Sequence, residues 1–219
     1  MFFKNKSRNY SQCTEYNPEM MTKRNNYTFL NQKYSVENQT VLLGDSITDF
    51  FNWYELFYDF SKVSGQAVYN RGISGDTTDR LLERLYDNVL SIKPRNLVIL
   101  IGTNDMNRNV PHSATIENME SIIRETKKAC PDVNLIIEAV YPINEKMRHC
   151  SDKRSNKKIN DINNEYSRLC EKYDCVWLDF TNQLRDDKGN LKSEYTYDGL
   201  HINAYAYEVV ARNIIPLLK

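Results

Sequence analysis

Five short apolar runs set the limits on what this chain can become: Val41-Leu42-Leu43, Ala67-Val68-Tyr69, Leu97-Val98-Ile99-Leu100-Ile101, Leu135-Ile136-Ile137-Glu138-Ala139-Val140 and Val176-Trp177-Leu178. Each has the length of a strand. Between them apolar residues recur at helical spacing: Leu81, Leu82, Leu85 and Val89; then Ile116, Met119, Ile122, Ile123 and Ala129; then Ile159, Ile162, Tyr166 and Leu169; and finally Tyr205, Val209 and Ile214. The aromatic segment 50–60 also reads as helical. Strands alternating with helices predict a parallel sheet covered on both faces, and the near-continuous apolar character of the third and fourth runs suits a sheet with two buried sides. No repeat, Pro-rich linker or low-complexity tract interrupts the chain after residue 40, so residues 39–219 are expected to form one domain. Residues 1–38 are polar and rich in Asn, Lys and Tyr, with a weak helical pattern only around 20–30. They are expected to form an arm or short helix lying on that domain.

In an open α/β sheet, ligands bind beyond the carboxyl ends of the strands. The five runs lead into Gly44-Asp45-Ser46-Ile47-Thr48, Asn70-Arg71-Gly72-Ile73-Ser74-Gly75, Gly102-Thr103-Asn104-Asp105, Tyr141-Pro142 and, on a long loop before the last helix, Asp198-Gly199-Leu200-His201. If the strands are parallel, one edge of the sheet collects a serine, a histidine, an aspartate, an asparagine amide and glycine N–H groups. Those are the parts of an acyl-transfer site. Each part has a purely structural alternative. Ser46 can cap the next helix, Asp198 the last one, Gly72 can serve a left-handed turn, and Asn104 can bond to nearby backbone. Their convergence on one edge is what selects the chemistry.

Ser46 is the candidate nucleophile, a hydroxyl that needs a neighbouring base. His201 is the candidate base. The other two histidines, His112 and His149, lie in polar segments without matching partners. Asp198, three residues before His201, is close enough in a tight turn to hold the imidazole in one tautomer. Gly72 and Asn104 are the candidate oxyanion donors.

Composition excludes other classes. Lys plus Arg and Asp plus Glu are equal at 29 each, which gives no electrostatic case for nucleic acid or an anionic membrane. No apolar run approaches the ~20 residues of a membrane span. The start, Met1-Phe2-Phe3-Lys4-Asn5-Lys6, turns polar at once, so export by the ordinary secretory route is not expected of this sequence as it stands. The five cysteines (Cys13, Cys130, Cys150, Cys170 and Cys175) are scattered, with no Cys-x-x-Cys spacing. That argues against a zinc site and fits reduced thiols in a cytoplasmic protein. The phosphate-cradling motifs GxGxxG and GxxxxGK[ST] are absent. The GxSxG elbow is absent too, since Gly72-Ile73-Ser74-Gly75-Asp76 fails at its fifth position. Phe50, Phe51, Trp53 and Phe57 follow the nucleophile and either line an acyl pocket or pack in the core.

Taken in order, Gly44-Asp45-Ser46-Ile47-Thr48, Gly72 within Arg71-Gly72-Ile73-Ser74-Gly75-Asp76-Thr77, Gly102-Thr103-Asn104-Asp105 and Asp198-Gly199-Leu200-His201 resemble the four blocks of the SGNH (GDSL-type) hydrolases. The resemblance spans roughly residues 40–219. The run 72–78 is especially similar to the subgroup of platelet-activating-factor acetylhydrolase catalytic subunits and lysophospholipase L1-like esterases. Asp105 departs from parts of that subgroup and is expected to order its loop, as is Asp45.

The resemblance implies a flavodoxin-like three-layer α/β/α sandwich with a five-stranded parallel sheet. It implies a Ser46–His201–Asp198 mechanism without metal or organic cofactor, with the oxyanion held by the Ser46 and Gly72 N–H groups and the Asn104 side chain. The expected function is a serine esterase forming an acyl-enzyme on Ser46, acting on small-molecule esters with short acyl groups such as O-acetyl. The alternatives are a lysophospholipase or thioesterase for longer chains and, in another class, a non-catalytic binding domain on the same fold. The expected assembly is a monomer or homodimer.

Overall fold

A computed structural model of the chain describes residues 17–50, 53–147 and 153–219. Cys13, Phe51, His149 and Cys150 lie outside the described residues. Each of the five apolar runs falls on or overlaps a strand: β1 (Thr40–Gly44), β2 (Val68–Gly72), β3 (Asn96–Leu100), β4 (Asn134–Glu138) and β5 (Val176–Leu178). All neighbours pair in parallel, in the order β2-β1-β3-β4-β5. The helices are α1 (Pro18–Lys33), α2 (Ser46–Asp49), α3 (Trp53–Leu56), α4 (Tyr58–Ser64), α5 (Thr78–Asn88), α6 (Thr103–Asn107), α7 (His112–Ala129), α8 (Asn156–Tyr173), α9 (Thr181–Leu184) and α10 (Ala204–Ile214).

Successive strand side chains point to opposite faces, and parity divides the core accordingly. Odd-numbered Val41, Leu43, Leu97, Ile99, Leu135 and Ile137 pack with the apolar stripes of α5, α7 and α8, including Leu81, Met119, Ile122, Ile159 and Tyr166. Even-numbered Leu42, Val98, Leu100 and Ile136 pack with Trp53, Phe57, Leu184 and the α10 residues Ala206, Val210 and Ile214. Helices therefore cover both faces, giving the three-layer α/β/α sandwich. The direction of strand progression reverses at β1, so the crevice between the carboxyl ends of β1 and β3 is the topological switch point. Ser46 follows β1 and Asn104 follows β3.

The segment 50–60 is not one helix. It divides between α3 and α4, after the single turn of α2 and beyond residues 51 and 52. Trp53 and Phe57 are core residues. Trp53 donates its indole N–H to the Thr48 carbonyl at 2.8 Å, and its ring meets Phe57 and Tyr207 edge-on.

Helix α1 starts cleanly, with Asn17 accepting from the Met20 N–H and Pro18 at its first position. It docks through a few specific contacts. Met20 and Tyr27 pack on Ile73, the Tyr27 hydroxyl donates to the Gly72 carbonyl, and Lys23 pairs with Asp49. Cys130, Cys170 and Cys175 are free thiols. No helix among the described residues is long and apolar enough to cross a membrane.

Candidate active site

The chain turns sharply from β1 into α2 at Gly44-Asp45-Ser46. The Asp45 carboxylate accepts from the Ile47 N–H at 3.0 Å and caps α2, which leaves Ser46 at its first position. Two glycines let the turn lie close over the sheet edge. A Cβ on Gly44 would run into the Leu100 carbonyl, and one on Gly72 would lie 2.7 Å from Asp49 Cα and 2.8 Å from the Thr48 carbonyl carbon. Gly72 is therefore the place where the backbone of α2 presses on β2.

The loop after residue 195 brings His201 to Ser46. His201 Nε2 lies 3.0 Å from Ser46 Oγ, and His201 Nδ1 lies 2.6 Å from Asp198 Oδ2. The other Asp198 oxygen accepts the N–H groups of Leu200 and His201 at 2.9 and 2.7 Å, across a turn in which Gly199 has φ +88°. Thr196 closes the loop: its hydroxyl donates to the His201 carbonyl at 2.7 Å and accepts from the Gly199 N–H at 2.9 Å. Burial pushes the Asp198 carboxyl up, but the imidazole and the two backbone N–H groups outweigh it and hold the group below the ordinary carboxylate range. Phe50 and Tyr197 are exposed and flank the imidazole, with ring centroids 5.0 and 6.0 Å from it.

Asn104, on α6, faces Ser46's turn from β3. Its Nδ2 donates to the Asp76 carbonyl at 3.0 Å and approaches Asp45 Oδ2 at 3.3 Å, while its Oδ1 accepts from Arg154 Nη2 at 3.0 Å. Gly72 does not match its expected role. Its N–H is donated to Asn70 Oδ1 at 2.8 Å, at the end of β2, and so is already paired within the protein. Three residues on, Gly75 occupies a turn closed by the Asp76 N–H on the Ile73 carbonyl, with φ +81°, a conformation glycine adopts without strain. Its N–H has no hydrogen-bond partner among the described residues, and its neighbour Asp76 is the residue whose carbonyl Asn104 holds.

Sequence reasoning missed two buried arginines. Arg84 on α5 pairs with Asp76 at 2.6 Å, both side chains being fully buried, and also donates to the Arg71 and Gly44 carbonyls at 2.8 and 3.1 Å. It ties together the ends of β1 and β2 and the turn after β2. Arg84 lies three residues after Leu81 and four before Asn88, on the buried face of its helix. A charge in that register is a sequence signal for a buried partner. Arg154, next to Asn104, has no such signal. Asp105 orders its loop as expected: it accepts from the Thr78 N–H and hydroxyl and from the Thr115 hydroxyl, joining α6 to α5 and α7. Burial pushes both Asp45 and Asp105 up to about 7 against these hydrogen bonds.

The chain belongs to the GDSL-like lipase/acylhydrolase family, whose model matches residues 42–209. It is similar to a solved structure from Streptococcus pneumonia described as a platelet activating factor, at 31% identity and a TM-score of 0.84, covering 92% of this chain and 93% of that one. It is 28% identical over 204 residues to the bovine (Bos taurus) isoamyl acetate-hydrolyzing esterase 1 homolog, covering 83% of this chain and 81% of the relative. It is also 28% identical over 181 residues to the N-acylneuraminate cytidylyltransferase of Escherichia coli O18:K1:H7. That match covers 81% of this chain, which spans 40% of that relative's length.

Proposed function

We propose that this chain is a serine esterase that removes short acyl groups, such as acetyl, from small-molecule esters through an acyl-enzyme on Ser46. The observation that carries the reading is the relay from Ser46 Oγ to His201 Nε2 at 3.0 Å and from His201 Nδ1 to Asp198 at 2.6 Å. In this reading His201 accepts the hydroxyl proton while Ser46 Oγ attacks the ester carbonyl carbon. Asp198 fixes the tautomer and stabilises the imidazolium. His201 then gives the proton to the departing alcohol. A water that loses its proton to His201 attacks the acyl-enzyme, releasing the acid and restoring Ser46.

The oxyanion is assigned to the Ser46 N–H at the first turn of α2, the Gly75 N–H and Asn104 Nδ2. Gly75 replaces Gly72 here, because the Gly72 N–H is already bonded to Asn70. The Asn104 hydrogen directed at Asp45 makes the longer contact, 3.3 Å, and is the one that would exchange Asp45 for substrate. The short-acyl preference draws support from the acetate ester in the name of the bovine relative.

Hydrolysis of p-nitrophenyl esters from acetate to decanoate, with wild type beside Ser46→Ala, tests the reading. Expected is activity highest on acetate or butyrate and lost in the variant. A maximum at octanoate or decanoate would replace the short-acyl assignment with a longer-chain one. Activity surviving in Ser46→Ala would overturn the nucleophile.

A further inference from the structure

A carboxamide donates only from its nitrogen end; turned over, Asn104 would present an oxygen to the oxyanion and repel it. Something must therefore fix which end faces the substrate. Asn104 Oδ1 accepts from Arg154 Nη2 at 3.0 Å, and Arg154 Nε donates to the Thr103 carbonyl at 3.1 Å. A guanidinium has five N–H donors and no acceptor, so it can bind only the oxygen end of the amide. Its planar fork holds Asn104 and the backbone of the preceding residue together. Arg154 itself is nine-tenths buried, next to Ser155, the cap of α8. A buried cation on the amide oxygen also draws electron density from the nitrogen, which strengthens the N–H donor. On the far side the Asp76 carbonyl takes one Nδ2 hydrogen at 3.0 Å.

We infer that Arg154 is a positioning residue of this active site, acting through Asn104: it sets the orientation of the oxyanion amide and polarises it without touching substrate. The inference rests on the assignment of Asn104 as an oxyanion donor. Arg154 then acts on the transition state and not on ground-state binding, so its loss falls on kcat.

The test is a double-mutant cycle on the short-acyl ester, with Arg154→Met, Asn104→Ala and the double variant, reading kcat and KM separately. Asn104→Ala is expected to lower kcat by about 10²–10³-fold. Arg154→Met is expected to lower it by about tenfold or more with KM within about twofold, and to cost almost nothing further once Asn104 is alanine. If Arg154→Met fails to fold, Arg154→Lys takes its place. An ammonium keeps the charge but lacks the fork, so it too is expected to lower kcat with KM held. Wild-type kcat in Arg154→Lys, or a raised KM with kcat unchanged in either variant, would overturn the inference. So would an equal loss on the wild-type and Asn104→Ala backgrounds. An Asn104→Ala enzyme with wild-type kcat would overturn the oxyanion assignment and this inference together. An impaired Asn104→Ala on which Arg154→Met acts independently would overturn this inference alone.

Discussion

The two walls of this site are built on opposite plans. The wall that carries Ser46, Gly75 and Asn104 rests on the sheet edge. Its supports (Asp45, Asp76, Arg84, Asp105 and Arg154) are buried and bonded to one another's loops, so each strand end is held by residues from at least one other element. The wall that carries Asp198 and His201 is a loop whose bonds are mostly local, within residues 194–203, with a long-range tie from the Asn144 N–H to the Gly199 carbonyl at 2.8 Å, and whose side chains stay partly open to solvent. The difference suits the tasks proposed for the two walls. Oxyanion donors act by being fixed before charge develops, so they gain from a rigid, low-dielectric setting. The base must exchange protons with a departing alcohol and an arriving water, so it needs solvent within reach.

The largest effects should come where the two walls meet. His201→Ala and Ser46→Ala are each expected to lower kcat by about 10⁴-fold or more, and the double variant to lose no more than either alone, because the pair works as a unit. Single-turnover release of p-nitrophenol measures this, and additive losses would show that the 3.0 Å contact between the walls is not used in the reaction. Asp198→Asn should follow with a loss of about 10³–10⁴-fold, since an amide no longer selects the required tautomer.

A smaller effect separates the plans themselves. Thr196→Val removes the hydroxyl that spans the His201 carbonyl and the Gly199 N–H. If the loop wall is held locally, stability should change by about 1 kcal/mol, the net worth of such a bond. The kcat should fall only about fivefold, well short of the roughly hundredfold cost of a 1 Å misplacement. Thermal melting beside steady-state kinetics would show it. A loss as large as that of Asp198→Asn would mean that the loop has no other support.

The contrast between the walls also explains what the sequence revealed. The strands were legible because a strand buried on both faces must be apolar almost throughout, and the motif residues fell at strand ends, where a parallel sheet gathers them. The Asp198–His201 pair was legible because it is local: three residues of spacing fix the contact. The supports of the buried wall join residues far apart in the chain, such as Arg154 with Asn104, and no pattern announces those pairings. Gly72 and Gly75 sit three residues apart in one motif and look interchangeable; only the bond from Gly72 to Asn70 separates them. Helix α1 was faint for a related reason. It docks through Met20, Lys23 and Tyr27 and lacks an apolar stripe.

The last expected effect leaves the chemistry aside: it is on stability, and it turns on pH. Burial pushes Asp45 and Asp105 in the wall up to about 7, from an ordinary 3.8, and raises Glu138, beneath the sheet edge, to about 7 as well. In the unfolded chain these groups lose their protons near pH 4. Between about pH 4 and 7 the folded protein therefore binds more protons than the unfolded one, and stability must fall as pH rises, by up to about 1.4 kcal/mol per pH unit for each group. Their contribution is whole below pH 4 and gone above 7. Asp198, held below the usual range, is ionised in both states above about pH 5 and adds no slope from there to pH 7. The melting temperature should thus drop between pH 5 and pH 8. Asp105→Asn, which keeps an acceptor for Thr78 but cannot ionise, should flatten the drop, whereas Thr196→Val on the other wall should leave the slope alone. An unchanged slope in Asp105→Asn would show that the carboxylate is already ionised in the fold, and that this wall is wetter than its hydrogen bonds imply.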